Sequence, residues 1–323
     1  MEILLLHPGG LGDIILSLPA IALLRERFPA ARVTIAGNID HLAPVAEGYA
    51  ESVISLSALP LHNLYLDSEL LQPEARFWKS FDRILSWSGA GDTVFTRNPK
   101  KIHPTACVES WKPGPKEPRH VSQLFVDSLG SEIAAGRLAC PAPIRLGKEA
   151  TADGLAWLSE RGWRSQDSLV AIHPGAGSKA KRWPVTRFAS VARHLVLQAK
   201  KKLLIVEGPA ESGISAQISG ELPSVQVLSS ESIPLNVLAS VLAHAGLFIG
   251  NDSGIAHLAA ALKVPSIVLF GPTLPQHWAP LGPEVVVLRD ARDCLACSAG
   301  GLDHTCMENI TVEKVIRSAI NRR

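Results

Sequence analysis

The chain has 323 residues, enough for two domains of ordinary size, and with 46% apolar and 19% charged residues each half can bury a core. Its formal charge is +2, from 32 basic and 30 acidic side chains, too balanced for nucleic acid to be the main partner. No apolar run reaches the roughly 20 residues of a spanning helix, and the composition is neither disordered nor fibrous.

The first half alternates short apolar runs with helical stretches. Ile3–Leu6 predicts a first β-strand rather than a signal peptide, which points to the cytoplasm. Pro8–Asp13 is a glycine-rich turn, and Ile14 to Phe28 has helical spacing, with Pro19 expected to kink or end its first segment. Strands follow at Val33–Ala36, Val53–Leu56 and Arg83–Trp87, with a helical stretch between the first two. Asn98 to Arg119 reads as loop, and His120–Leu129 as helix. The Pro/Gly-rich stretch Cys140 to Gly147 marks a linker, which divides the chain into domains 1–145 and 146–323.

Beyond the linker, strands are predicted at Leu169–Ile172, Leu203–Val206, Val225–Leu228, Leu247–Ile249 and Ser266–Phe270. Helices are predicted at Val185–Gln198, Glu211–Glu221, Leu235–His244 and Ile255–Leu262. The strand runs are apolar without alternation, as when helices cover both faces of a parallel sheet. The expected fold class is therefore α/β, with two doubly wound Rossmann-like domains. Ligands in such sheets bind at the carboxyl ends of the strands, so the chemistry is sought in the loops there.

Three loops carry it. In His7 to Pro19 the glycines Gly9, Gly10 and Gly12 allow a sharp turn, but Ile15 stands where a dinucleotide fingerprint needs its last glycine. Asp13 lies where it can cap the next helix or serve as a general base. His173 to Pro184 combines small residues and Ser178 with Lys179, Lys181 and Arg182, which suits a phosphate or a solvated basic loop. In Ile249 to Pro275, Asn251, Asp252, Ser253 and Gly254 open a helix directly after a strand. Amides and a partial positive charge there would stabilise a diphosphate without a metal ion. His257 fits either a structural histidine or a ligand contact, and Thr273 sits on the next strand-end turn at the same sheet edge.

The five cysteines are Cys107, Cys140, Cys294, Cys297 and Cys306, an odd number that argues against a complete disulfide framework. A zinc knuckle from Cys294, Cys297, His304 and Cys306 is disfavoured, because no second CxxC pair exists.

Taken together, Gly12-Asp13 with the following Leu-Pro-Ala, the Pro174–Pro184 segment and Asn251–Pro275 resemble glycosyltransferase family 9, the ADP-heptose:lipopolysaccharide heptosyltransferases, heptosyltransferase II-like in the second segment. The resemblance implies a GT-B fold whose two domains face a central cleft, the first binding acceptor and the second sugar nucleotide. It leaves room for the C-terminal helix to pack back on the first domain. It further implies an inverting, metal-independent transfer of heptose from ADP-heptose to a lipopolysaccharide core acceptor, with no cofactor, near the inner membrane. Asp13 would then be the base and Lys181 the counter-charge to the departing diphosphate. Gly12, Ser178, Asp252, Ser253, Gly254, His257 and Thr273 would hold the donor, with Glu211 at the ribose. Family members often carry Ser or Thr before the first-loop glycine, where this chain reads His-Pro-Gly-Gly. The basic residues Arg97, Lys100, Lys101, Lys112, Lys116 and Arg119 suit acidic lipid or core phosphates, or a solvated loop.

Overall fold

The computed structural model describes residues 1–67, 72–114, 116–208, 213–220, 222–231, 233–290 and 305–321. The chain divides into two compact units, Met1–Arg145 and Leu146–Arg323.

The first unit holds five parallel strands: β1 (Glu2–Leu6), β2 (Arg32–Gly37), β3 (Ser52–Ser55), β4 (Arg83–Ser86) and β5 (Cys107–Val108). They lie in the order β3-β2-β1-β4-β5, so chain direction across the sheet reverses between β1 and β4. Ile3 to Leu6 are all fully buried, because helices cover both faces of this central strand. Leu6 pairs with Ala36 on one side and Ser86 on the other, which brings the loops after β1, β2 and β4 to one edge. The longer helices are α1 (Leu11–Arg27), α2 (Gln72–Lys79), α3 (Thr93–Ile102) and α4 (Val121–Asp127), and α1 packs on α4.

Two sequence expectations need correction here. Pro19 does not end its helix: α1 runs through it for 17 residues, held on its buried face by Ile14, Leu18, Ile21 and Leu24. Tertiary burial outweighs the one backbone hydrogen bond that proline removes. The stretch 98–119 is not all loop either, since α3 extends to Ile102 and β5 follows. Asp92 caps α3 by accepting the Phe95 amide at 2.8 Å, and Phe95 is fully buried beneath it.

The second unit has six parallel strands: β6 (Leu169–His173), β7 (Lys202–Ile205), β8 (Val227–Ser229), β9 (Leu247–Asn251), β10 (Ser266–Phe270) and β11 (Val285–Arg289). Their order is β11-β10-β9-β6-β7-β8, so the sheet reverses between β6 and β9. Its longer helices are α5 (Lys148–Glu160), α6 (Val185–Arg193), α7 (Leu235–Ala243), α8 (Gly254–Ala261) and α9 (Val312–Ile320). A π-helical turn, His194–Gln198, carries α6 onward. The short helix Ile214–Ser219 is the described part of the predicted 211–221 helix.

Helix α5 and strand β11 were not anticipated. Gly154 in mid-α5 reads as a breaker, yet it is a contact point: an added Cβ would lie 2.2 Å from Ser240 Oγ on α7. The C-terminal helix α9 packs on α6 and β10, and its Val315 and Ala319 join a core with Ile172, Trp183 and Phe188.

Candidate active site

In the second unit the loops that leave β6, β9 and β10 converge at the carboxyl edge of the sheet, beside the point where the strand order reverses. An α/β sheet of this kind offers its ligand crevice there. Asn251, fully buried at the end of β9, ties two of these loops together. Its Nδ2 donates to the Pro174 carbonyl at 2.7 Å, and its Oδ1 accepts the Trp183 amide at 3.1 Å. Trp183 is 1% exposed and donates through Nε1 to the Ile310 carbonyl at 2.9 Å. Arg182 turns back to donate to the Ala176 carbonyl. The basic loop is therefore a braced turn.

At its tip, the single 3-10 turn Lys179–Lys181 places the Lys181 ammonium 2.9 Å from Asp252 Oδ2. The same oxygen accepts Thr273 Oγ1–H at 2.6 Å, from the loop after β10. Asp252 is buried and Lys181 only partly so. Thus three predicted site residues from three loops share one carboxylate oxygen. Ser253 caps α8 by accepting the Ala256 amide, and the first turn of a helix carries a partial positive charge. Gly271, between Phe270 and the Thr273 turn, is fixed in type by its surroundings. An added Cβ would lie 2.7 Å from Met307 Sδ and 3.4 Å from the Ala180 carbonyl oxygen. His257 is buried in the first turns of α8, and Ser178 is exposed beside the basic turn. Together these groups form a partly buried cationic and amide-rich edge, suited to an anionic diphosphate.

In the first unit, His7 follows the end of β1, and the glycine turn leads into α1. Gly10 N–H donates to Asp13 Oδ2 at 2.9 Å, so Asp13 closes the first turn of α1. Its carboxylate stays partly exposed at the strand-end edge, next to Gly12. Capping and exposure coexist here, and the cap fixes where the carboxylate points. His7 is completely buried, and burial pushes its pKa down to about 4.

Other expectations are placed less tightly. Glu211, Cys294, Cys297 and His304 lie outside the described residues. Of the basic cluster, Lys116 lies in the loop before α4, Arg97 pairs with Asp67, and Arg119 pairs with Glu117 and Asp127. Lys112 lies over the Trp111 ring. Lys100 and Lys101 are exposed in the last turn of α3, where cations complement the helix dipole. Sequence reasoning missed Glu207, a buried carboxylate two residues past β7. Burial alone pushes its pKa up, but hydrogen bonds from Ser215 and the amides of Gly213 and Ile214 hold it below the usual carboxylate range. An acidic residue directly after the apolar run Leu203–Val206 was the available signal.

Comparison with known proteins agrees with this layout. The family model described as "Glycosyltransferase family 9 (heptosyltransferase)" matches residues 134–305, which include the three converging loops of the second unit. The chain is 32% identical over 125 residues to a lipooligosaccharide heptosyltransferase 2 of Haemophilus influenzae. That stretch covers 38% of this chain and 36% of the relative. It is 31% identical over 172 residues to the lipooligosaccharide heptosyltransferase 2 of Campylobacter jejuni, covering 49% and 52%. The chain thus spans about half, or less, of the length of these curated relatives. A solved glycosyl transferase family 9 protein of Veillonella parvula superposes with a TM-score of 0.81 over 99% of this chain and 96% of its own, at 21% identity. Likeness at that identity shows the fold, which is the α/β GT-B class.

Proposed function

Because the chain belongs to glycosyltransferase family 9, we propose that it moves a heptose from ADP-heptose to a lipopolysaccharide core acceptor, with inversion and without a metal ion or cofactor. The observation that carries this reading is the Lys181–Asp252–Thr273 chain at the amino end of α8, inside the matched region. In the proposed reaction an acceptor hydroxyl oxygen attacks the anomeric carbon while the bond from that carbon to the diphosphate oxygen breaks. The hydroxyl proton passes to the Asp13 carboxylate, and ADP departs with the bonding pair. Lys181 and the amides around Ser253 and Gly254 take up the charge that develops on the diphosphate. Asp252 is itself an anion. Its role is therefore to aim Lys181 and Thr273, while the phosphate oxygens fall to the cation and the amides. Ser178 and His257 complete the donor contacts, with Gly12 on the first unit and Glu211 at the ribose.

The expected location is the cytoplasmic side of the inner membrane, with peripheral contact. Among the described residues no helix is long and apolar enough to cross a membrane. In calorimetry, ADP is expected to bind more tightly than UDP or GDP, and no ADP binding at millimolar ligand removes the reading. Product analysis with ADP-heptose and a delipidated core then tests sugar and acceptor together. Transfer only from another sugar nucleotide keeps the fold and changes the substrate, and hydrolysis or epimerisation alone changes the reaction.

A further inference from the structure

Both units share a device: a central strand leads to a buried histidine followed by Pro-Gly, His7-Pro8-Gly9 directly after β1 and His173-Pro174-Gly175 at the end of β6. The two imidazoles are wired differently. His173 Nδ1 lies 3.0 Å from the Val206 carbonyl oxygen and donates to it, which joins β6 to the end of β7. His7 Nδ1 instead accepts the Gly9 amide at 3.1 Å, so its proton sits on Nε2. The first ring therefore holds the loop that carries Asp13, and the second holds a neighbouring strand.

We propose that His7 is a positioning residue for Asp13, acting through Gly9 as a hydrogen-bond acceptor and a steric stop. This rests on the reading of Asp13 as the base. Gly9 is wedged between the two side chains: a Cβ built on it would meet Asp13 Cβ at 2.5 Å and His7 Cε1 at 2.8 Å. A shift of the ring therefore moves Gly9, and Gly9 cannot move without displacing Asp13. Asp13 is tethered to the same loop by the Gly10 amide.

The ring has little freedom. It meets Trp87 edge-on at 5.4 Å between centroids and stacks with Phe125 at 5.6 Å and Trp111 at 6.4 Å. The walls are pinned in turn. Trp111 Nε1 donates to the Trp87 carbonyl, Trp87 Nε1 to Ser128 Oγ, and Ser128 Oγ to the Phe125 carbonyl. The His7 amide is held by the Ala36 carbonyl at 2.8 Å. This apolar box keeps the imidazole neutral and its Nδ1 lone pair available to Gly9. Among the described residues Nε2 has no hydrogen-bond partner of good geometry, and the Asp13 backbone is a polar group that acts directly on the ring.

The test compares three variants in the full chain. His7→Asn keeps an acceptor at the δ position, whereas His7→Leu removes it and His7→Gln moves it one atom further out. Leu and Gln are expected to lower kcat by roughly ten- to a hundredfold, the cost of a sub-ångström displacement of a reacting group. The KM for the donor should stay within about twofold, and Asn should recover most of kcat. Should the Leu variant not fold, the Asn and Gln pair carries the comparison. Equal kcat in Asn and Gln, or full kcat in Leu, overturns the proposal, because packing alone then explains the residue. Nitrogen NMR of His7 gives a readout independent of activity: the Nε2–H tautomer is expected, and an Nδ1–H tautomer overturns it. If Asp13→Asn keeps full turnover while the tautomer and the Asn/Gln contrast hold, the base assignment fails and the coupling of His7 to this loop stands.

Discussion

At the scale of single residues, the first-unit loop is decided by atoms that leave no spare volume. Gly9→Ala should reduce transfer by roughly a hundredfold, because its Cβ would push against the Asp13 and His7 side chains. ADP affinity by calorimetry should be unchanged, since the proposed diphosphate contacts, Lys181 and the amides around Ser253 and Gly254, are on the second unit. His7 also makes a stability prediction whose sign is fixed by its environment. Its folded pKa of about 4 lies below the ordinary histidine value of 6.5, so between these pH values the unfolded chain takes a proton that the folded chain refuses. The stabilising contribution is fully present above pH 6.5 and is lost as the pH falls towards 4, by about 3 kcal/mol in all. Urea midpoints measured across this window should fall more steeply for the wild type than for His7→Gln. Parallel slopes would mean that the ring is not buried in its neutral form.

At the scale of elements, the second-unit site is built where three loops meet over a segment distant in sequence. Met307 and Ile310, both buried, lie under Gly271 and Trp183. Gly271→Ala should cost about 1–3 kcal/mol, as overpacking does, read as a lowered urea midpoint. The mutation should also weaken ADP binding, because Thr273 follows two residues later on the same turn. Lys181→Met removes the cation from a buried carboxylate. Its stability cost should be below the roughly 3–5 kcal/mol of a fully buried pair, because Lys181 reaches solvent. The glycines at 154 and 271 are likewise set by packing rather than by local propensity. Each is required by a side chain from another element, Ser240 or Met307. In the sequence a glycine set by packing looks the same as one that breaks a helix.

At the scale of the whole molecule, the proposed reaction divides its tasks between the two units. Lys181→Met should therefore weaken ADP binding at least tenfold and lower transfer. Asp13→Asn should abolish transfer and leave ADP affinity within about twofold. Calorimetry on both variants, beside a transfer assay, separates the tasks. A loss of ADP affinity in Asp13→Asn would place Asp13 in the donor site instead.

Much of the architecture is legible in the order of residues alone. Runs such as Ile3–Leu6 and Leu247–Ile249 are apolar on both faces, which only a helix-covered parallel strand accommodates. Glycine, asparagine and aspartate crowd the strand ends, so the three site loops could be found by their place in the rhythm. The sequence also names the ionisable side chains of the proposed site, Lys181, Asp252 and Asp13, because residue type is covalent. Their partners required the fold. The shared Oδ2 of Asp252, the Asn251 brace and the His7 box join residues up to 118 positions apart, as with His7 and Phe125. A hydrogen bond or ring contact depends on distances within a few ångströms, and sheet order and register set those distances. Sequence spacing leaves them open. The tautomer of each buried histidine follows the same rule: two identical His-Pro-Gly turns hold their protons on different nitrogens, because one ring faces a glycine amide and the other a strand carbonyl.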